Sequence, residues 1–511
     1  MTGLCFAALL AAAAQASGGY RVAGEVLNSA SGRPVSGARV TLVPADRGGP
    51  GASAVTGDDG RFSFTGLPEG KYSLSGQRRG LLPSHRMGAT VTGPGQDTAS
   101  IVLRLPPPAV ISGKVVDDAG DPVADAQVEL LGSRIVEGRR QTIQESIERT
   151  DDLGAYRFAS LPAGGYYLVV SGVPWFTKFN PALGDTAPRA MTHAGYGIRY
   201  YPNAADPAAA EPLILKAGQE AGANFTLLPV PAVTVEVHCE QFENLTKHYV
   251  LTAAGLSGNQ VHVRDGVETG DLFHFWSVTP GHYNLRTEAT DGRSTWYATN
   301  ELEVAASDIE VDVALHTAPS LSGTVVAESG GSLPRQLTLL LRDAAGRVLS
   351  TAMGVDGRFS MVAIPPGRYH VAFAGADDYD LRNWSAEGGR REGDMLDIPA
   401  GAAVRLTANA AKGTGRIAGT VYRDGQPLSG ALVVLAPAHR AVQSNSDGSY
   451  EFRGLPAADY TLLAVSDGED LEYANPAALQ PYLDSAKKIR IAPGGSENVR
   501  LDAAGTLPGK R

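Results

Sequence analysis

Ten histidines, two cysteines and 54 acidic residues are the groups from which this sequence could build a metal site or an activated nucleophile. Catalytic zinc draws its protein ligands from such residues, usually with two closely spaced on one element. No H-E-x-x-H occurs. His238-Cys239-Glu240 is an adjacent triple, but side chains alternate along a strand, so His238 and Glu240 face away from Cys239. Cys239 itself reads as a small buried hydrophobe. The G-x-S-x-G of a hydrolase elbow is missing. Gly413-Thr414-Gly415 with Ala418 imitates a dinucleotide fingerprint, yet it opens into the strand-like "RIAGTV", where phosphate cradling needs a helix N-terminus. Acidic residues at Asp58-Asp59, Asp151-Asp152, Asp356 and Asp447 each precede a strand. Calcium takes about six to eight oxygens, so these read as plain turns, and Asp377-Asp378-Tyr379-Asp380 is the fuller calcium candidate. The sequence therefore predicts no catalytic residues, no cofactor and no metal site.

Aromatic residues carry the other chemistry. Trp175, Trp296, Trp384 and Tyr473 fall nine to fifteen positions past a recurring tyrosine, in segments of differing length that read as loops. Phe176, Tyr196, Tyr200, Tyr201 and Tyr482 add to the set. Exposed aromatics on sandwich loops stack on sugar rings, with Asn, Asp and Arg reading the hydroxyls. On the competing reading the same segments fold back over a sheet edge.

The elements that would position these residues recur. "GRFSFTGLPEGKYSL" (60–74) returns as "GAYRFASLPAGGYYL", "DLFHFWSVTPGHYNL", "GRFSMVAIPPGRYHV" and "GSYEFRGLPAADYTL". Apolar residues at period two flank a Pro/Gly turn, which predicts a hairpin turning one face to a core. Tyr72, Tyr166, Tyr283, Tyr369 and Tyr460 occupy the same place in all five copies. Such a ring suits a core position, with its hydroxyl bonded to nearby backbone as a tyrosine corner. Upstream, "VAGEV", "ISGKV", "LSGTV" and "IAGTV" each place a Gly in a short strand, and the third copy lacks this signature. Spacings of 94, 117, 86 and 91 residues between copies are domain-sized, beyond the period of solenoids or propellers. The prediction is all-β: a tandem array of five small, seven-stranded antiparallel β-sandwiches at 18–106, 108–229 (with a long aromatic loop), 231–316 (degenerate), 318–410 and 413–505. The Pro-rich joints "PPPAV" and "PVPAV" suggest a semi-rigid string of beads.

Bulk properties agree with several domains. The chain has 511 residues, 61 Gly and 32 Pro. Its net charge of −10 is spread without a basic block, which excludes nucleic acid as a partner. "MTGLCFAALLAAAAQA" (1–16) has the apolar run and small-residue end of a signal peptide cleaved before Ser17. Only Cys239 would remain after cleavage, so no disulfide framework forms. The remainder holds no run long enough for a membrane helix. The expected location is the periplasm or the cell exterior.

"AGEVLNSASGRPVSGARVTL…GDDGRFSFTGLPEGKYSL" and "AGTVYRDGQPLSGALVVL…SDGSYEFRGLPAADYTL" resemble the carboxypeptidase regulatory-like domain, a prealbumin-like sandwich akin in shape to starch-binding and collagen-adhesin B-type modules. The resemblance is fullest in the first, second and fifth units and thinnest in the third. Its motif residues are core and turn positions, so it implies a fold and little chemistry. Some relatives form a Lys–Asn isopeptide from a first-strand lysine, and only Lys114 stands at such a position. The resemblance implies an exported, non-catalytic spacer or interaction scaffold. The alternatives are a carbohydrate- or peptide-binding protein that takes a polysaccharide or protein ligand on the aromatic loops of the second to fifth units, and an accessory chain for a separate peptidase.

Overall fold

Alternation in the first repeat becomes burial: Arg61–Leu67 turns Phe62 and Phe64 inward, and Gly70–Gln77 turns Tyr72 and Leu74 inward, with exposed residues between them. The computed structural model describes residues 19–45, 49–86, 88–96, 98–175, 194–239, 245–256, 260–269, 272–328, 330–343, 347–376, 378–438 and 440–505. The expected signal peptide, Phe176, Glu240 and Asp377 lie outside them.

The two strands of the repeat do not pair with each other. Arg61–Leu67 pairs with Tyr20–Asn28, whereas Gly70–Gln77 pairs with Arg39–Pro44 in the facing sheet. The expected hairpin is a corner at which the chain crosses between sheets. The other four copies do the same, at Ala155–Leu161 and Gly164–Ser171, Leu272–Val278 and Gly281–Thr290, Arg358–Met361 and Gly367–Ala374, and Ser449–Leu455 and Ala458–Val465. Period-two burial is identical for neighbouring strands and for strands that face each other across a core, so the pattern did not distinguish them.

In each sandwich the first strand lies between the strand before the corner, antiparallel, and the closing strand, which runs parallel to it. This parallel pairing departs from the all-antiparallel expectation and accounts for the upstream glycines. A Cβ on Gly24, Gly113, Gly323 or Gly419 would stand 1.9, 1.7, 1.9 or 1.8 Å from the carbonyl oxygen of Ile101, Ala223, Leu406 or Val499 on the closing side. No side chain fits there. In the third sandwich Val237 takes that register position, opposite Phe273 and Val311.

Five large clusters of buried side chains each draw on both sheets of one pair. Two smaller clusters cover outer faces. One lies under residues 471–486 of the fifth sandwich, and the other lies between the second and third sandwiches.

The string of beads is corrected by contacts between distant segments. Arg86 Nη2 donates to Ser429 Oγ at 2.9 Å, Ser446 N to Ala89 O at 2.9 Å and Val91 N to Ser446 Oγ at 2.8 Å, joining the first sandwich to the fifth. The second sandwich extends a long arm, Gln127–Val136 and Arg139–Arg149, closed by a two-residue turn with Glu137 at φ 50° and Gly138 at φ 78°. Positive φ at both central residues matches the twist of a tight hairpin. The arm's tip reaches the fifth sandwich, where Ala474 N donates to Gly138 O at 2.9 Å and Arg140 pairs with Glu472 at 3.1 Å. Glu137 pairs with Arg342 of the fourth. Even the joint Pro229–Pro231 is a strand, paired with Ala194–Tyr196. The array folds back on itself.

Candidate functional site

The five recurring tyrosines are buried, between 0% and 7% exposed. Each hydroxyl donates to the carbonyl four residues earlier: Tyr72 to Pro68 at 3.1 Å, Tyr166 to Pro162 at 2.8 Å, Tyr283 to Thr279 at 2.7 Å, Tyr369 to Pro365 at 2.5 Å and Tyr460 to Pro456 at 2.7 Å. The bond ties the start of the post-corner strand to the turn it has just left, so the crossing between sheets is fixed by one side chain. Burial raises the Tyr369 phenol to about 12.

The predicted aromatic loops do not assemble one binding face. Trp296 lies in the strand Thr295–Val304, half-buried against the third core. Trp384 lies in the strand Tyr379–Glu387, only 5% exposed, with the Arg391 guanidinium 4.3 Å from its ring centre. A register shift between Arg382 and Ser385 accompanies its inward placement. Tyr473 packs on the outer face of the fifth sandwich beneath the arm's tip, and Tyr482 lies on the same cluster. A Cβ on Gly138 would be 2.5 Å from the Tyr473 ring. Tyr196 and Tyr200 are buried, and Tyr201 packs edge-on to Phe225. Trp175 differs, at 74% exposed. These segments cover sheets because edges and outer apolar faces need covering.

The acidic turns serve themselves. Asp59 accepts from Arg61 N, Asp151 from Leu153 N and Ala155 N, Asp356 from Arg358 N and Asp447 from Ser449 N. Cys239 is fully buried in the third core, and Lys114 is exposed. Among the described residues no three His, Cys, Asp or Glu side chains converge as a metal site would require.

Polar chemistry gathers where the first, fourth and fifth sandwiches meet. A cleft of about 550 Å³ is lined by Lys71 of the first, Asp378 of the fourth and Arg440, Asn445, Glu451 and Arg453 of the fifth. A recess of about 200 Å³ shares Lys71, Tyr450 and Glu451 with it and adds Arg416. Glu451 pairs with both Arg416 and Arg453, and these guanidiniums, Arg453 foremost, hold its carboxyl down at about 2. Arg440 Nη1 donates to the Arg453 carbonyl at 2.9 Å. Sequence reasoning missed this group because Lys71 and Arg440 are 369 positions apart.

A second polar feature is buried between the second and third sandwiches. Glu129 is 2% exposed and accepts from His262 N at 3.0 Å and Gln127 Nε2 at 3.2 Å. Burial outweighs these bonds and raises its carboxyl to about 7.

With the corners, glycines and cores in place, the class is an all-β protein of repeated two-sheet sandwiches. Residues 21–104, 110–177 and 416–503 match the model of the carboxypeptidase regulatory-like domain, and the chain carries that domain in these three regions. The chitinase ChiA of Flavobacterium johnsoniae is 24% identical over 191 residues, covering 37% of this chain and 11% of the chitinase. The chain therefore spans a small part of that relative's length. Solved structures similar to it include the TIE protein of Bacillus anthracis, at 13% identity and TM-score 0.18 over 76% of this chain and 72% of that one. GBS52, the minor pilin of Streptococcus agalactiae, aligns at 14% identity and TM-score 0.22 over 42% of this chain and 97% of the pilin.

Proposed function

We propose that the chain is an exported, non-catalytic modular scaffold of five sandwich domains, at 18–106, 108–229, 231–316, 318–410 and 413–505, held in a folded-back array. The observation that carries this reading is the use made of the repeated residues. Each repeated position goes to a corner, a core or a close strand approach, and among the described residues the segments around Trp296, Trp384 and Tyr473 cover faces or meet a neighbouring sandwich. The bridging arm, the Ala89–Ser446 bond and the buried Glu129 contact support a fixed spatial arrangement of modules, as a presenting scaffold needs. Export rests on the apolar segment ahead of Ser17 and is tested by N-terminal sequencing of the secreted protein.

Small-angle scattering tests the arrangement. A compact body of this length has a radius of gyration of about 24 Å. Five collinear units of roughly 90 residues, each about 31 Å across, would give about 46 Å. The expected value is below about 32 Å, and one above about 40 Å refutes the folded-back array.

A further inference from the structure

The cleft between the first, fourth and fifth sandwiches is locally cationic in an acidic protein. Among its lining residues and those of the adjoining recess, Lys71, Arg416, Arg440 and Arg453 face Glu451 and Asp378, whereas the whole chain carries −10. Glu451 is already engaged by two guanidiniums, and Asp378 by Lys412 at 3.8 Å. Lys71 and Arg440 form no ion pair among the described residues.

Strand order supplies the second half of the inference. Arg440–Gln443 is the end strand of its sheet, beside Leu432–Ala436. In such an edge strand every second residue turns its N–H and C=O away from the sheet. The other strand along the cleft, Ser449–Leu455, also ends its sheet, but Arg440 occupies its Arg453 carbonyl. Arg440 also feels the Asp380 carboxylate, which Arg382 shares, so the cations lining the cleft still outnumber the carboxylates free to answer them, and edge backbone beside such cations recognises an extended chain bearing carboxylates. A sugar polymer would need a ring face to stack on. Among the described residues Tyr450 is the one aromatic lining the cleft and its recess, and it is 2% exposed with its hydroxyl donated to Val499 O at 2.7 Å.

We propose that this cleft binds an extended acidic peptide segment of a partner protein, which adds to the Arg440–Gln443 edge and places its carboxylates on Lys71 and Arg440. The mode is strand addition, with main-chain bonds for affinity and charges for specificity. The proposal goes beyond the scaffold reading but rests on the closure of the first sandwich onto the fifth, because that closure forms the cleft.

The probe is a fluorescein-labelled decapeptide of alternating Glu and Ser, titrated with the full chain by anisotropy at low salt. Saturable binding is expected, at least tenfold weaker in the Lys71→Ser/Arg440→Ser variant, weaker still in Lys71→Glu/Arg440→Ser, and unchanged in Arg490→Ser on the opposite edge of the same sheet. N-methylation of alternate peptide residues should abolish it, a result that does not depend on any variant folding. Scattering on each variant separates loss of the site from opening of the array. Absence of peptide binding to a chain that scattering finds compact overturns the proposal and leaves the scaffold standing. Binding indifferent to both the substitutions and N-methylation overturns it as well, as does a preference for oligogalacturonate over the peptide.

Discussion

Replacing Glu129 with Gln should stabilise the junction of the second and third sandwiches in alkali and leave it nearly unchanged in acid. Glu129 is 2% exposed, with its hydrogen bonds coming from His262 N and Gln127. In the fold its pKa is raised to about 7, from the 4.5 of an unburied glutamate. The folded state therefore keeps a proton that the unfolded chain releases between these values. The resulting stabilisation is full below 4.5 and is lost as pH climbs through about 7. At about 1.4 kcal/mol per pH unit the gap amounts to roughly 3 kcal/mol. Gln keeps an acceptor for His262 N and cannot ionise, so it escapes the loss. For a cooperative unit of roughly 200 residues, 3 kcal/mol corresponds to about 6–12 °C in Tm. Calorimetry of both proteins at pH 4 and pH 8.5 is the assay, and the difference between them cancels every other titrating group. A Tm gap of the same size at both pH values would refute the reasoning, since the carboxylate would then be ionised inside the fold at pH 4.

Tyr460→Phe removes the corner bond to Pro456 without changing ring volume and should cost the fifth sandwich about 0.5–1.5 kcal/mol in urea unfolding. Gly419→Ala drives a methyl into the Val499 carbonyl and should cost about 1–3 kcal/mol or more by overpacking, read in the same titration. Gly138→Val collides with the Tyr473 ring and strains a left-handed φ, so the arm should detach. Hydrogen exchange at the Ala474 amide, which donates to Gly138, should then rise at least tenfold while the core amides stay protected.

The sequence carried the sandwiches themselves because their determinants are local. Phe62, Phe64, Tyr72 and Leu74 declare an inward face by alternation, and the tyrosine ten positions past the first aromatic marks the corner in every copy. Alternation is silent about which strand is a neighbour, so a crossing between sheets read as a hairpin. The aromatic insertions misled for a related reason. Trp384 and Trp296 follow segments of irregular length, yet they sit in strands, because a register shift or an extended hairpin absorbs the extra residues without a periodic signature. The cleft was illegible for lack of any local cue. Lys71 looks like an ordinary exposed strand lysine until the fold sets it on the same cleft as Arg440.

The parallel pairing of first and closing strands has a mechanical consequence. The chain enters each sandwich at one end of the first strand and leaves from the opposite end of the strand alongside it. Tension along the polypeptide therefore slides these two strands past one another, loading all the bonds between them at once instead of peeling them one by one. Single-molecule stretching should show the folded-back contacts parting first at low load, followed by sharp, high-force ruptures as individual modules yield.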